Sequence, residues 1–541
     1  MTWPTVRQFL QVPPALTGKG VAIAVIDGDF PAHPDIATNT TRRSFVVQAL
    51  EPGARPVPLT AESGPWSHGA HSLWAAAAAG GSGALCGGRY AGIAPEADLY
   101  LIRHWSPERP QDRVRDHAAA LRWVLHNHQE YSIRGVLTAL AGQRDTGLLP
   151  WQTDLWRVLC EELAEAGVLV VAGAGNMTDF TCRMSEAAAP SVLAVGGVVI
   201  PADGDAGKAP AYHGCRGVTF EGTWVPQVLA PAENIVLPWG SDEMRRGHVY
   251  AGIDRLPEGY ARTEGTSFAG PIALGAAACI WQAHPEWTAH QMQAAILHTA
   301  SRQPQWAALR AGLVSVADAV AAVPGAAMPS VAGPYARWRA WRQESVEDRL
   351  LVMGGADAGR ATEAVLSFLP DALPTVALPL VRSLARHRAP RLRTAALCAL
   401  ATRPGDLTVD DVLPMVGDGE PGVRMAALDA LDRCPHVWNE AVPSLIETIR
   451  DPSADVAYWA IRLAGRLRHP DAVVPLIAGL EADAREGRIA CFGARCLALT
   501  ALTGQEFPLD PPWRDGNCPY AEERRQARLG IAARWQASLT T

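Results

Sequence analysis

The sequence predicts two architectures in one chain, an α/β region followed by an all-α region of stacked helical pairs. Three observations carry this. Apolar runs ending in a polar residue, such as Val21 to Asp27 and Val170 to Asn176, alternate with helix-forming stretches in the first half. A Pro/Gly/Ala stretch from Val323 to Pro334 cannot continue a helix and marks a boundary. Beyond it, Ala/Leu helical patterns repeat 31 residues apart. At 541 residues the chain is too long for one core, and length alone suggests about two to four domains.

Taken in order, Val21 to Asp27 is rich in β-branched residues and reads as a buried strand ending in one carboxylate. Ser67-His-Gly-Ala-His71 precedes a helix-forming run from Ser72 to Ala79. Val170-Val-Ala-Gly-Ala-Gly-Asn176 reads as a strand and loop. Glu264-Gly-Thr-Ser-Phe-Ala-Gly-Pro271 places Ser267 at a Gly-rich turn that opens an apolar helix from Ile272 to Trp281. Singly these residues have plain readings. Asp27 fits a turn or cap, His68 a surface imidazole near a helix start, and Asn176 a turn residue tolerant of positive φ. Together they supply what a serine nucleophile needs, an imidazole to take its proton and a carboxylate to orient that imidazole.

On these blocks the chain resembles the subtilisin-like serine proteases, the subtilases. Asp27 sits in a strand-Asp motif followed by His33-Pro34-Asp35, and His68 is the first His of a His-Gly-Thr-His motif. Gly265-Thr266-Ser267, with Ala269, Pro271 and Gly275, matches the Gly-Thr-Ser-x-Ala-x-Pro block, and Ala91 to Tyr100 and Pro190 to Gly196 add weaker matches. The resemblance spans residues 15 to 323. It implies a doubly wound, mostly parallel sheet with flanking helices, catalytic Asp27, His68 and Ser267, and Asn176 as oxyanion donor. It also implies substrate contacts at Leu140, Ala141, Gly142, Ala174 and Gly175. No cofactor or metal is expected. Asp35 matches a calcium ligand of many subtilases, but the loop Gly80 to Gly88 lacks Asn or Asp, and calcium wants about 6–8 oxygens.

Departures from the family pattern remove no catalytic atom. Gly28 replaces the usual Ser or Thr, Ala70 replaces the Thr of His-Gly-Thr-His, and the small residues that should follow become Ser72, Leu73 and Trp74. The Asp-Gly form is similar to that of the leader-peptide proteases of cyanobactin pathways. Only 26 residues precede Asp27, where secreted subtilases carry a prodomain; either the sequence is a mature form or, as expected here, the enzyme folds without that chaperone.

In the second half, Pro390-Arg-Leu-Arg, Pro421-Gly-Val-Arg and Pro452-Ser-Ala-Asp each open a helix, with apolar positions at helical spacing such as Val423, Ala426, Ala427, Ala430 and Leu431. Partner helices entered through proline lie around Pro414, Pro443 and Pro475, and a capping segment is expected near Leu499 to Gly504. This resembles a HEAT-like array, with a tetratricopeptide-like or other helical-pair solenoid as the alternative. The boundaries are then 1–323 for the protease, 324–347 for a linker and connecting segment, and 348–541 for the array. Such arrays serve as spacers or bind a protein or peptide along a concave face.

Lys and Arg total 48 against 55 Asp and Glu, a net charge of −7, which argues against a nucleic-acid surface. Arg391, Arg393, Arg424 and Arg462 read as a solvated face of the repeats, with an acidic-peptide groove as the minor alternative. Ten cysteines lack metal spacing, and Cys279, Cys398 and Cys496 fall in apolar helical patterns, which suits free thiols in a reducing compartment. No signal peptide or membrane span is expected, and the location expected is cytoplasmic. Two functions follow: an intracellular endopeptidase whose array recruits one protein or peptide substrate, or a regulatory protein partner, and a catalytically silent subtilase scaffold that binds proteins. The protease half is expected to keep its chemistry without the array.

Overall fold

Residues Ala22–Asp27 form strand β1, buried along its whole length, as an apolar run covered by helices on both faces should be. The computed structural model describes residues 3–66, 70–104, 113–138, 146–178, 180–182, 185–239, 256–322, 333–508 and 521–539. The further strands are β2 (Ser44–Gln48), β3 (Val57–Pro58), β4 (Asp98–Arg103), β5 (Ile133–Thr138), β6 (Leu169–Gly173) and β7 (Leu193–Val199). They continue as β8 (Gly217–Val218), β9 (Trp224–Val225), β10 (Val228–Pro238), β11 (Tyr260–Glu264) and β12 (Gly312–Leu313). One sheet runs β11-β10-β7-β6-β5-β1-β4-β2-β3, with β12 on β10, and β8 pairs with β9 apart from it. The inner pairs are parallel, and β11 and β3 run antiparallel to their neighbours.

From β1 the chain winds one way through β4 and β2 and the other way through β5, β6 and β7. In such sheets the crevice outside the carboxyl ends of the strands, where the winding reverses, is the natural binding site. Asp27 ends β1, and Asn176 follows the end of β6. Ala22, Ala24 and Ile26 pack with helices Arg113–Asn127 and Leu155–Glu165, whereas Ile23 and Val25 join the core of helices Ala70–Gly80 and Thr266–Ala283. Strand alternation therefore turns Asp27 towards the second pair of helices.

These two helices approach closely through small residues. A Cβ on Gly275 would lie 2.6 Å from the Ala79 carbonyl oxygen, so only glycine fits at that crossing. The helix expected from Ile272 begins at Thr266, with Pro271 inside it, so Ser267 stands in the first helical turn rather than before it.

The second half is helical from Pro334 onward, and residues 323 to 332 of the expected boundary lie outside the described residues. The repeat helices are Pro390–Leu400, Pro421–Arg433 and Ala454–Leu467, with partners Val409–Val416, Trp438–Thr448 and Val473–Glu486. The third starts at Ala454, two residues after Pro452, and Pro414 and Pro443 lie inside their helices rather than at the entry. Leu499 to Thr503 belong to helix Ile489–Thr503, and a later helix, Ala521–Ala537, covers the end of the array with Trp535 against Phe507.

Of the four arginines read as a solvated face, Arg391 and Arg462 are exposed, whereas Arg393 and Arg424 are largely buried in ion pairs. Arg393 pairs with Asp418 at 2.7 Å and Arg424 with Asp451 at 2.7 Å, each tying a repeat helix to the turn that follows. Arg391 lies over the Phe220 ring of the first half, and Arg462 over Tyr458 and Trp459. The two halves share a core. Phe180 and Phe220 of the first half belong to the same buried cluster as Leu397, Leu428 and Ile461 of the array, while Trp151 meets Trp338 edge-on. None of the nine cysteines among the described residues is in a disulfide, and Cys279, Cys398 and Cys496 are buried. Among the described residues no helix is long and apolar enough to cross a membrane.

Candidate active site

Ser267 is 6% exposed, at the head of helix Thr266–Ala283. Gly265 before it adopts φ 141°, a conformation that L side chains rarely take, and this lets β11 turn sharply into the helix. First-turn N–H groups have no intrahelical acceptor and carry the positive end of the helix dipole, so the Ser267 N–H is a donor available to an anion.

Asn176 is oriented from the same turn. Its Oδ1 accepts hydrogen bonds from the Thr266 N–H and the Thr266 hydroxyl, both at 2.8 Å. With the oxygen so fixed, the Nδ2 group of the amide is left to donate elsewhere. The Thr266 hydroxyl also accepts from the Gly175 N–H at 3.0 Å, and the Gly175 carbonyl accepts from the Cys215 N–H at 3.0 Å. Gly175, expected to meet substrate, thus has both backbone groups engaged. Ala174 is buried, and its N–H bonds to Val195. Leu140, Ala141 and Gly142 lie outside the described residues.

Asp27 accepts from three groups. Its Oδ1 takes the Gly28 N–H at 2.6 Å and the Ser72 hydroxyl at 2.9 Å, and its Oδ2 takes His71 Nδ1 at 2.8 Å. Burial by itself would raise the carboxyl. The charge and hydrogen bond of His71, the Gly28 N–H and the charge of His104 outweigh it and hold Asp27 far below the usual carboxylate range. The His71 side chain is 37% exposed against 4% for Asp27, so the imidazole faces the crevice while its carboxylate stays buried. The ring lies 5.5 Å from that of Phe268, the residue after Ser267.

The imidazole on Asp27 is therefore His71, while His68, expected in that role, lies outside the described residues. In the sequence, the glycine of the motif follows His68 and not His71, whereas a run of small residues follows His71. Counted from His68, the small residues that should follow are Ser72, Leu73 and Trp74. Counted from His71 they are Ala75, Ala76 and Ala77, all buried in helix Ala70–Gly80. Trp74 instead donates to the Pro238 carbonyl at 2.7 Å and meets Phe268 edge-on.

Asp35 is used internally. It is fully buried, accepts from the Tyr260 hydroxyl at 2.8 Å and from the Ala84 N–H, and burial raises its carboxyl. No group of three His, Cys, Asp or Glu side chains among the described residues could hold a metal ion. A second buried network was not anticipated from sequence. Thr138, at the end of β5, donates to Glu186 at 2.5 Å, and Glu186 meets His117 Nε2 at 2.8 Å.

A model of the subtilase family matches residues 18–321, and one of HEAT repeats matches residues 409–494. The serine protease AprX of Bacillus subtilis (strain 168) is 27% identical over 292 residues, 51% of this chain and 60% of its own. The subtilisin-like protease PopC of Myxococcus xanthus (strain DK1622) is 27% identical over 308 residues, 54% of this chain and 57% of its own. The chain thus spans less than two thirds of the length of these curated relatives. Among solved structures, fervidolysin from Fervidobacterium pennivorans aligns at TM-score 0.43 and 17% identity over 59% of this chain and 46% of its own. The protease domain of PatA aligns at TM-score 0.42 and 23% identity over 57% of this chain and 97% of its own. With the family match covering more than half of its residues, the chain belongs to the subtilase family.

Proposed function

We propose that the chain is a serine endopeptidase in which Asp27, His71 and Ser267 form the triad and Asn176 supplies an oxyanion donor. The hydrogen bond between His71 Nδ1 and Asp27 Oδ2, at the carboxyl edge of the sheet beside the Ser267 turn, supports this most directly. His71 donates its Nδ1 proton to Asp27, which leaves Nε2 to take the hydroxyl proton of Ser267 as Oγ attacks the peptide carbonyl carbon. The Asn176 amide and the Ser267 N–H hold the oxyanion. Collapse of the tetrahedral species breaks the C–N bond, and the proton on Nε2 passes to the leaving amine. Water activated by the same imidazole then releases the acyl group and restores Ser267.

The substrate class is a protein or peptide, and the array recruits a specific one, in peptide-product maturation or in a regulatory or defence cascade. Buried thiols outside any disulfide support action in the cytoplasm. The assignment of the base separates two variants of the full chain under fluorophosphonate labelling. Ser267→Ala should not label. His71→Ala should label about 10⁶-fold more slowly, the scale that subtilisin itself sets for losing its base. His68→Ala should keep the label. If His68→Ala silences the serine and His71→Ala labels at the wild-type rate, the base is His68.

A further inference from the structure

We propose that Asp455, on the repeat array, is a positioning residue for the oxyanion donor Asn176. The inference rests on the oxyanion role proposed above. Asp455 lies in the first turn of helix Ala454–Leu467 and is 2% exposed. Its carboxylate joins two loops of the protease half. Oδ1 accepts from the Thr146 hydroxyl at 3.1 Å, and Oδ2 accepts from the Thr181 N–H at 3.0 Å. One turn later, Tyr458 meets the buried Phe180 edge-on at 5.5 Å.

Thr181 is five residues beyond Asn176, and between them the Thr178 hydroxyl donates to the His213 carbonyl at 3.2 Å. Phe180 N–H bonds to the Met177 carbonyl at 3.2 Å, and the Phe180 carbonyl accepts from the Arg216 N–H at 2.9 Å. Upstream, Gly175 and Asn176 are pinned to Thr266, next to the nucleophile. The loop carrying the oxyanion donor is thus held at one end by the nucleophile turn and at the other by the array. Removing the carboxylate takes away the partner of the part-buried Thr181 N–H and of the Thr146 hydroxyl together, and releases the end of the loop at Thr181. A donor shifted by a fraction of an ångström loses transition-state stabilisation while ground-state binding is kept, so turnover should fall and KM should not.

The test uses the full chain, with kcat and KM on fluorogenic casein and the rate of phosphonylation by a fluorophosphonate. Asp455→Ala should lower kcat and the phosphonylation rate about three- to thirtyfold, the range of coupling between linked sites, with KM unchanged. Asp455→Asn, which keeps an acceptor for the Thr181 N–H, should recover most of the loss. Arg391→Ala, which removes a different contact between the halves, should leave kcat unchanged. Combined with Asn176→Ala, Asp455→Ala should have no further effect on kcat. An equal kcat loss from Asp455→Ala in both backgrounds, or an equal loss from Arg391→Ala, overturns the proposal and reduces Asp455 to a docking contact. An Asn176→Ala variant with unchanged kcat overturns the oxyanion reading itself, and the proposal with it.

Discussion

Glu161 gives the chain a stability that should fall as pH rises. It sits in helix Leu155–Glu165, 1% exposed, and accepts from the Ser191 N–H and the Ser191 hydroxyl, both at 2.7 Å. Burial is the largest influence on its carboxyl, nearby Glu221 adds to it, and Ser191 and Arg337 oppose it; the result is pushed up to about 7 from an ordinary 4.5. The folded chain therefore binds this proton more tightly than the unfolded one. Its contribution is complete below pH 4.5 and is lost as pH climbs through about 7. At 1.36 kcal/mol per pH unit, that interval amounts to about 3 kcal/mol. Glu161→Gln keeps an acceptor for the Ser191 N–H and cannot ionise, so the variant should lack this loss. Urea unfolding midpoints of the full chain at pH 5, 6.5 and 8, followed by tryptophan fluorescence, read the difference. Wild type should weaken across the series and Glu161→Gln should weaken less, by about 2.5 kcal/mol between pH 5 and pH 8. Identical pH slopes would show that Glu161 is ionised at neutral pH in the folded chain.

Two further outcomes follow from the packing. In Gly275→Ala the new Cβ meets the Ala79 carbonyl oxygen at 2.6 Å and Ile93 Cβ at 3.0 Å, so the helices bearing Ser267 and His71 must part; a cost of about 1–3 kcal/mol in thermal or urea stability with a fall in kcat is expected, and wild-type values of both would refute it. Residues 1–334 alone should expose Phe180 and Phe220, now buried in the shared core, and should aggregate on size exclusion and label poorly with fluorophosphonate. Full-rate labelling of a monomer would restore the independent protease half that the boundary in the sequence suggested.

What the sequence made legible was local. An apolar β-branched run ended by one carboxylate could be read as β1 and Asp27, because burial on both faces leaves no polar alternation to confuse it. Asn176 and Ser267 stood out because glycines accompany them where the backbone turns sharply. The histidine was harder, because two imidazoles lie three residues apart in His68-Gly-Ala-His71 and the motif carries a histidine at both places; the contact of His71 with Asp27 is a matter of three-dimensional placement that no local pattern states. The contacts between the halves were not legible at all, since Thr146 and Asp455 meet across 309 residues of sequence and neither lies in a pattern that demands a partner.

The array's arginines show why its role was easy to misread. A row of Arg at repeat spacing is what a solvated face looks like in sequence. In the fold, Arg393 and Arg424 are spent on Asp418 and Asp451, the carboxylates that close each repeat onto the next, and those pairs are largely desolvated, so removing one partner costs more than it would at the surface. The corresponding position one repeat further on differs. Asp455 turns its carboxylate away from the array to the loops of the protease half. Asp455 thus stands where the two earlier repeats carry Arg393 and Arg424. The array thereby directs a buried acid into the loop behind Asn176, and on the reading proposed above a ligand that altered the stacking of the repeats would reach Asn176 through a single helix.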